Sequence, residues 1–281
     1  VHVRQADFQS VAVAQRLRVR FRLRGISLLE LRDVAMRYGE GSDAVTALES
    51  IRLSVEAHEF ISIVGPSGCG KSTLLYLVGG FLQPTTGEIR LRDRPVSGPG
   101  NDRGIVFQRY SLFPWLTVQD NIAYGLREMG VPRNERERIV ADHVRLVHLE
   151  GCERRYPREL SGGMQQRVAI AQTLACNPEI LLMDEPFGAL DAQTRRILQD
   201  ELRRIWRRGT QTVLFVTHDV EEAVALGTRI VVMASRPGRI KEVLTRGFDI
   251  DDGDEFEANP AFAALKLHVW RRVKEEVDAS R

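Results

Sequence analysis

Four stretches are apolar at nearly every position: Phe60 to Val64, Ile180 to Met183, Thr212 to Val216 and Arg229 to Met233. A strand with one wet face alternates, whereas an apolar run of this length fits a strand covered on both faces of a parallel sheet. Between these runs the period turns helical. Leu198, Leu202 and Ile205 line one face of a helix from about Asp191 to Arg208. Arg203, Arg204, Arg207 and Arg208 suit its C-terminal end, and Gly209 closes it. Further helices are expected from Lys71 to about Gly79, from the segment after Ser161 to about Asn177, and from Val220 to Leu226. In 120–149 the helical period returns, with Asn134 as an N-cap and Ile139, Val140, Val144 and Val147 on one face. Leu28 to Leu31 and Ala47 to Val55 read as short strands around a loop holding Tyr38. Glu88 to Leu91 and Gly104 to Gln108 read as two more. Strand and helix alternate, which predicts an α/β fold with a parallel core sheet and a β-rich lead-in. No internal repeat and no second globular domain is visible.

The two ends read differently. In the first 26 residues, Arg16 to Arg24 alternates arginine with apolar residues and lacks the apolar core of a secretory signal. A basic arm against anionic lipid is one reading; a poorly ordered extension is the preferred one. After about residue 245 comes an acidic linker, Asp249 to Glu255, and then a helix from Pro260 to Val277.

Composition narrows the class. In 281 residues, 43% are hydrophobic and 28% charged, enough for a full core. Lysine and arginine total 40 against 38 aspartate and glutamate, so charge makes no case for nucleic acid as partner. Cys69, Cys152 and Cys176 show no metal spacing or pairing, which suits a reducing compartment. No apolar run reaches the length of a membrane span.

The richest chemistry follows the first buried strand. Gly65-Pro66-Ser67-Gly68-Cys69-Gly70-Lys71-Ser72-Thr73 fits G-x-x-x-x-G-K-[ST], the Walker A phosphate loop. Polyphosphate needs several backbone N–H groups pointing inward, and glycines let the main chain approach that closely. The helix that follows aims its positive end at the anion. Lys71 adds a point charge, and the Ser72 hydroxyl can serve Mg²⁺. Cys69, beside a helix N-terminus, is expected to be a thiol of lowered pKa.

The motifs in their order closely resemble the ATP-binding subunits of ABC transporters, over roughly Leu28 to Val243. The resemblance implies a P-loop NTPase (RecA-like) core with a mostly parallel sheet. It adds an antiparallel β subdomain and an inserted α-helical subdomain at about 109–165, within an ATPase domain of 27–245. It implies ATP and Mg²⁺ as cofactors, with ATP hydrolysis coupled to transport. Asp184 and Glu185 match the Walker B carboxylate and the catalytic glutamate, and His218 matches the switch histidine. Gln108 matches a sensor near metal and water, so the expected metal set is Ser72, Gln108 and Asp184. Tyr38 matches the aromatic that stacks on adenine, and Ala189-Leu190-Asp191 matches the D-loop. Leu160 to Arg167 matches the signature, with Met164 where many members have glutamine; Ser161, Gly162 and Gly163 keep the pattern. In the family these two clusters serve different nucleotides, because two copies pack head to tail.

Phe107 to Val118 is apolar and aromatic beside Gln108. It reads either as local packing or as a cleft for a short helix of a membrane permease. With Phe187-Gly188-Ala189-Leu190-Asp191 and Ser235-Arg236-Pro237-Gly238-Arg239-Ile240, the chain resembles the bacterial importers of nitrate, sulfonates and taurine. The resemblance implies a membrane permease and, indirectly, an extracytoplasmic binding protein as partners, with this chain peripheral at the cytoplasmic face of the inner membrane. A soluble assembly ATPase of the iron–sulfur type and an exporter subunit remain alternatives.

Overall fold

The computed structural model describes residues 27–39, 41, 44–108, 111–188, 190–250 and 256–279. The basic first 26 residues, Arg109, Tyr110, Ala189 and residues 251–255 of the acidic linker therefore lie outside the described residues.

The core is a six-stranded sheet in the order β10-β9-β3-β8-β7-β6. Its strands are β3 (Phe60–Val64), β6 (Arg103–Val106), β7 (Ile180–Asp184), β8 (Thr212–Val216), β9 (Arg229–Ala234) and β10 (Arg239–Thr245). Every pairing among β9, β3, β8, β7 and β6 is parallel; β10 alone runs antiparallel, along the edge of β9. All five residues of β3, β7 and β8 are buried, because successive side chains enter different cores. Leu181 and Met183 join one cluster with Val168 and Leu202, while Ile180 and Leu182 join the other with Leu74 and Leu77.

The described residues hold seven α-helices: α1 (Lys71–Gly79), α2 (Val118–Glu128), α3 (Arg133–Leu146), α4 (Gly162–Ala175), α5 (Ala192–Arg208), α6 (Val220–Leu226) and α7 (Pro260–Ala279). A separate antiparallel sheet, in the order β2-β1-β4-β5, closes over α1. It is built from β1 (Ser27–Tyr38), β2 (Val45–Glu56), β4 (Thr86–Leu91) and β5 (Arg94–Pro95). The expected α/β core, its antiparallel lead-in and its helical insert are all present.

Several local expectations need correcting. Asn134 is not the cap of α3: the cap position is Pro132, whose carbonyl accepts from Arg136 N–H at 2.9 Å. Gly209 ends α5 in an extended conformation, not the left-handed one usual for a closing glycine. β1 and β2 are each 12 residues long and carry register shifts where short strands are expected.

Parallel pairing has a decisive consequence. β3, β6, β7 and β8 all end on the same edge of the sheet, where open α/β sheets hold their ligands. Pairing sets Ile63, Val216 and Asp184 level across three strands, and Val106 level with Met183. The residues just beyond these strand ends are therefore neighbours in space, although scattered over 150 positions of sequence.

Candidate functional site

The loop after β3 runs into α1 through Gly70, which is left-handed at φ 89° and leaves the helix without a side-chain cap. Unpaired N–H groups at a helix start attract an anion. Close packing explains two glycines. A Cβ on Gly65 would lie 2.8 Å from the Met233 carbonyl, and one on Gly70 2.6 Å from Leu48 Cδ2. Lys71 is almost wholly buried and donates from Nζ to the carbonyls of Gly65 and Pro66, both at 2.9 Å. Its charge therefore sits inside the curl of the loop.

The thiol of Cys69 is the main correction here. It is fully buried, and burial outweighs the nearby Lys71 charge, pushing its pKa up. The helix start does not deliver an activated thiolate.

From α1, Ser72 Oγ donates to Asp184 Oδ1 at 2.9 Å, and Tyr76 Oη donates to Asp184 Oδ2 at 3.1 Å. Sequence reasoning missed Tyr76, although it lies four residues after Ser72 and so on the same helix face. Burial pushes the Asp184 carboxyl up, against the two hydrogen bonds that favour its charged form. A buried carboxylate beside a hydroxyl is a hard oxygen pair, which fits Mg²⁺. Among the described residues no three His, Cys, Asp or Glu side chains gather as a metal site. Mg²⁺ held here thus suits the mode in which one carboxylate shares the ion with substrate phosphates.

One residue on, Glu185 has a left-handed backbone at φ 44°, uncommon for a residue with a Cβ. Its N–H donates to the Val216 carbonyl at 2.9 Å. Oε2 of Glu185 lies 2.9 Å from His218 Nδ1 and accepts from Gln108 Nε2 at 3.4 Å. Three residues expected to act together thus converge on one oxygen. Tyr38, at the end of β1, places its hydroxyl 3.5 Å from Thr73 Oγ1, so its half-exposed ring stands beside the phosphate loop.

The second cluster lies elsewhere. Ser161 caps α4, accepting from Met164 N–H at 3.3 Å. Gly162 opens the helix, and Gly163 packs on α5, where a Cβ would lie 2.6 Å from Thr194 Cγ2. Asp191 caps α5, and the N–H of Thr194, at 3.0 Å, holds its carboxyl below the usual range. α4 packs against α2 and β6 and leads to β7, two places from β3 in the sheet. At a strand spacing of about 4.8 Å, that displaces the helix by about 10 Å or more from its own phosphate loop. Among the described residues no hydrogen bond joins Ser161, Gly162 or Gly163 to residues 65–73.

Behind Gln108 the apolar stretch is divided: Val118 is buried and Leu112 packs against the core, while the aromatic tip reaches the surface. Trp115 is 70% exposed; Phe113 touches Trp115 and Tyr124 with ring centres 5.6 and 4.4 Å away. Asn121, fully buried, holds the loop by accepting from Phe113 N–H and donating to the carbonyls of Phe113, Leu116 and Thr117.

A Walker A phosphate loop and strand-end carboxylates on one parallel sheet define a nucleoside-triphosphatase of the P-loop class. Comparison with known proteins makes this specific. The family model described as ABC transporter matches residues 48–188. The chain is 49% identical to the nitrate import ATP-binding protein of Synechocystis sp., over 89% of this chain and 94% of that one. It is 44% identical to the taurine import ATP-binding protein of Escherichia coli, covering 83% and 93% of the two chains. Among solved structures, a dimeric ATP-binding cassette in a post-hydrolysis state, bound to ADP and Pi, is 34% identical. It superposes at a TM-score of 0.70, over 78% of this chain and all of that one. The chain belongs to the ABC transporter family, as one of its ATP-binding, ATP-hydrolysing subunits. No helix among the described residues is long and apolar enough to cross a membrane.

Proposed function

We propose that the chain powers an importer of nitrate, sulfonate or taurine-like anions from the cytoplasmic face of the inner membrane, together with a permease and an extracytoplasmic binding protein. The nitrate and taurine import roles of the relatives from Synechocystis and Escherichia coli support this reading. So does the exposed aromatic loop of Phe113 and Trp115, which suits a permease helix. In this reading residues 27–245 form the ATPase domain, 109–165 its helical subdomain, and 246–281 a linker and helix.

In this reading each site residue has a role. Gly65 to Thr73 binds the phosphates, with Pro66, Ser67, Gly68 and Cys69 contributing backbone and Lys71 a charge. Tyr38 stacks on adenine. Ser72 and Asp184 hold Mg²⁺ with Gln108 beside them, and when bound the ion offsets charge on the phosphate oxygens. Glu185 orients and polarises the attacking water, while His218 and Gln108 fix the Glu185 carboxylate. Ser161, Gly162, Gly163 and Asp191 act on the nucleotide of a second copy packed head to tail.

The observation that carries this reading is the convergence of Gln108, Glu185 and His218 at one strand-end edge, next to the Ser72–Asp184 pair. The test is Glu185→Gln at saturating ATP and Mg²⁺. Turnover should fall about 100-fold or more, with a stable dimer in light scattering. A variant that stays monomeric, even with its permease, overturns the reading. Stimulation of the permease complex by nitrate against taurine then identifies the anion.

A further inference from the structure

Arg195 bridges the loop before α5 and the loop after β8. Arg195, one turn into α5, donates from one terminal nitrogen to the Leu190 carbonyl at 3.0 Å, just before Asp191. Its other terminal nitrogen lies 3.6 Å from Asp219 Oδ2, and its Nε lies 3.7 Å from Glu222 Oε1. Glu222 is buried on α6 and takes the Thr217 hydroxyl at 2.6 Å and Gln199 Nε2 at 3.2 Å. Thr217 Oγ1 in turn accepts from Asp219 N–H at 3.0 Å. His218 sits between Thr217 and Asp219 and so takes its place from this chain of contacts.

Between the two loops lies a hollow of about 10 Å³, room for one water, lined by Arg195, Thr217, His218, Asp219 and Glu222. Arg195 Nε is buried there without a hydrogen-bond partner. Its ion-pair distances are longer than hydrogen bonds, so the guanidinium is held firmly on the Leu190 side and loosely on the Glu222 side. A planar fork held in this way can pass a displacement of one loop to the other.

We propose that Arg195 is a positioning residue that couples the loop carrying Asp191 to the loop carrying His218, so that His218 is seated against Glu185 only when the Asp191 loop is in place. This rests on the site reading above, in which a second copy approaches Asp191 and His218 serves Glu185. Burial pushes the Glu222 carboxyl up, and the nearby guanidinium opposes that shift by favouring the charged, acceptor-only form.

The experiment is a double-mutant cycle in the full chain, with Arg195→Ala, Arg195→Lys and His218→Ala. Arg195→Ala should lower kcat about tenfold with ATP affinity within about twofold, and Arg195→Lys should restore part of it. In the His218→Ala background Arg195→Ala should have no further effect. Hydrogen exchange, which needs no turnover, should accelerate over 216–222 in Arg195→Ala and stay native in α1 and α4. Fully additive losses, or unchanged exchange over 216–222, overturn the proposal. If His218→Ala keeps native kcat, the site reading fails, and the exchange result still decides whether Arg195 couples the two loops.

Discussion

His218 Nδ1 lies 2.9 Å from Glu185 Oε2, although the two residues leave different strands, β8 and β7. The same oxygen receives Gln108 from the end of β6 at 3.4 Å, so Glu185 is aimed from two sides. Removing one aim should affect the chemical step more than binding. His218→Ala is expected to lower kcat about 100-fold while ATP affinity changes by less than about threefold. Steady-state hydrolysis with a separate nucleotide-binding titration checks it. Equal losses in both would place His218 on the ground-state nucleotide instead.

Asp184 gives a pH dependence with a definite sign. Burial raises its pKa above the ordinary 3.8, so the folded chain takes up this proton at higher pH than the unfolded chain. Its contribution favours folding at low pH and is lost as pH rises through the raised value. Asp184→Asn removes that dependence. Without metal, the difference in melting temperature between native chain and Asp184→Asn should shift in favour of the native chain as pH falls toward the ordinary 3.8. At pH 7, Mg²⁺ should add melting temperature beyond ATP alone in the native chain and add almost nothing in the variant.

Cys69 should be the slow cysteine. A raised pKa lowers the thiolate fraction at neutral pH, and full burial denies access. Cys152 is free and partly exposed. Peptide mapping after brief iodoacetamide treatment at pH 7.5 should find Cys152 modified about tenfold or more ahead of Cys69, with Cys69 gaining as pH rises. Preferential labelling of Cys69 would show that the loop opens where the structure packs it.

What the sequence revealed follows from which signals are local. The phosphate loop, Asp184 and the buried strands are legible because spacing and unbroken apolar runs carry them. β10 is not, because Arg239 to Thr245 is a charged edge strand whose partner lies on one side only. β1 and β2 read as short because irregularities near Asp33 and Ser50, both left-handed, break their alternation. Residue type alone points to Asn134 as the cap of α3, whereas the carbonyl of Pro132 and the fixed ring dihedral start the helix. Glu222 and Arg195 were invisible for another reason. A lone glutamate and a lone arginine on separate helices read as surface charges until the sheet brings the helices together.

Gly163 separates a packing role from a binding role within one residue. Its Cβ position lies 2.6 Å from Thr194 Cγ2, closer than carbon atoms approach without movement. Gly163→Ala gains up to about 1 kcal/mol of helix propensity but overpacks this contact, which costs about 1–3 kcal/mol. The net expectation is a loss of about 1 kcal/mol, read by chemical denaturation. Thr194→Ser deletes the offending methyl, so Gly163→Ala with Thr194→Ser should regain most of that loss, and the cycle should show coupling. ATP-dependent dimerisation is the second readout. If stability returns and ATP-dependent dimerisation does not, the glycine is needed where the partner's phosphates approach its backbone. If both return, Gly163 is there for Thr194 alone.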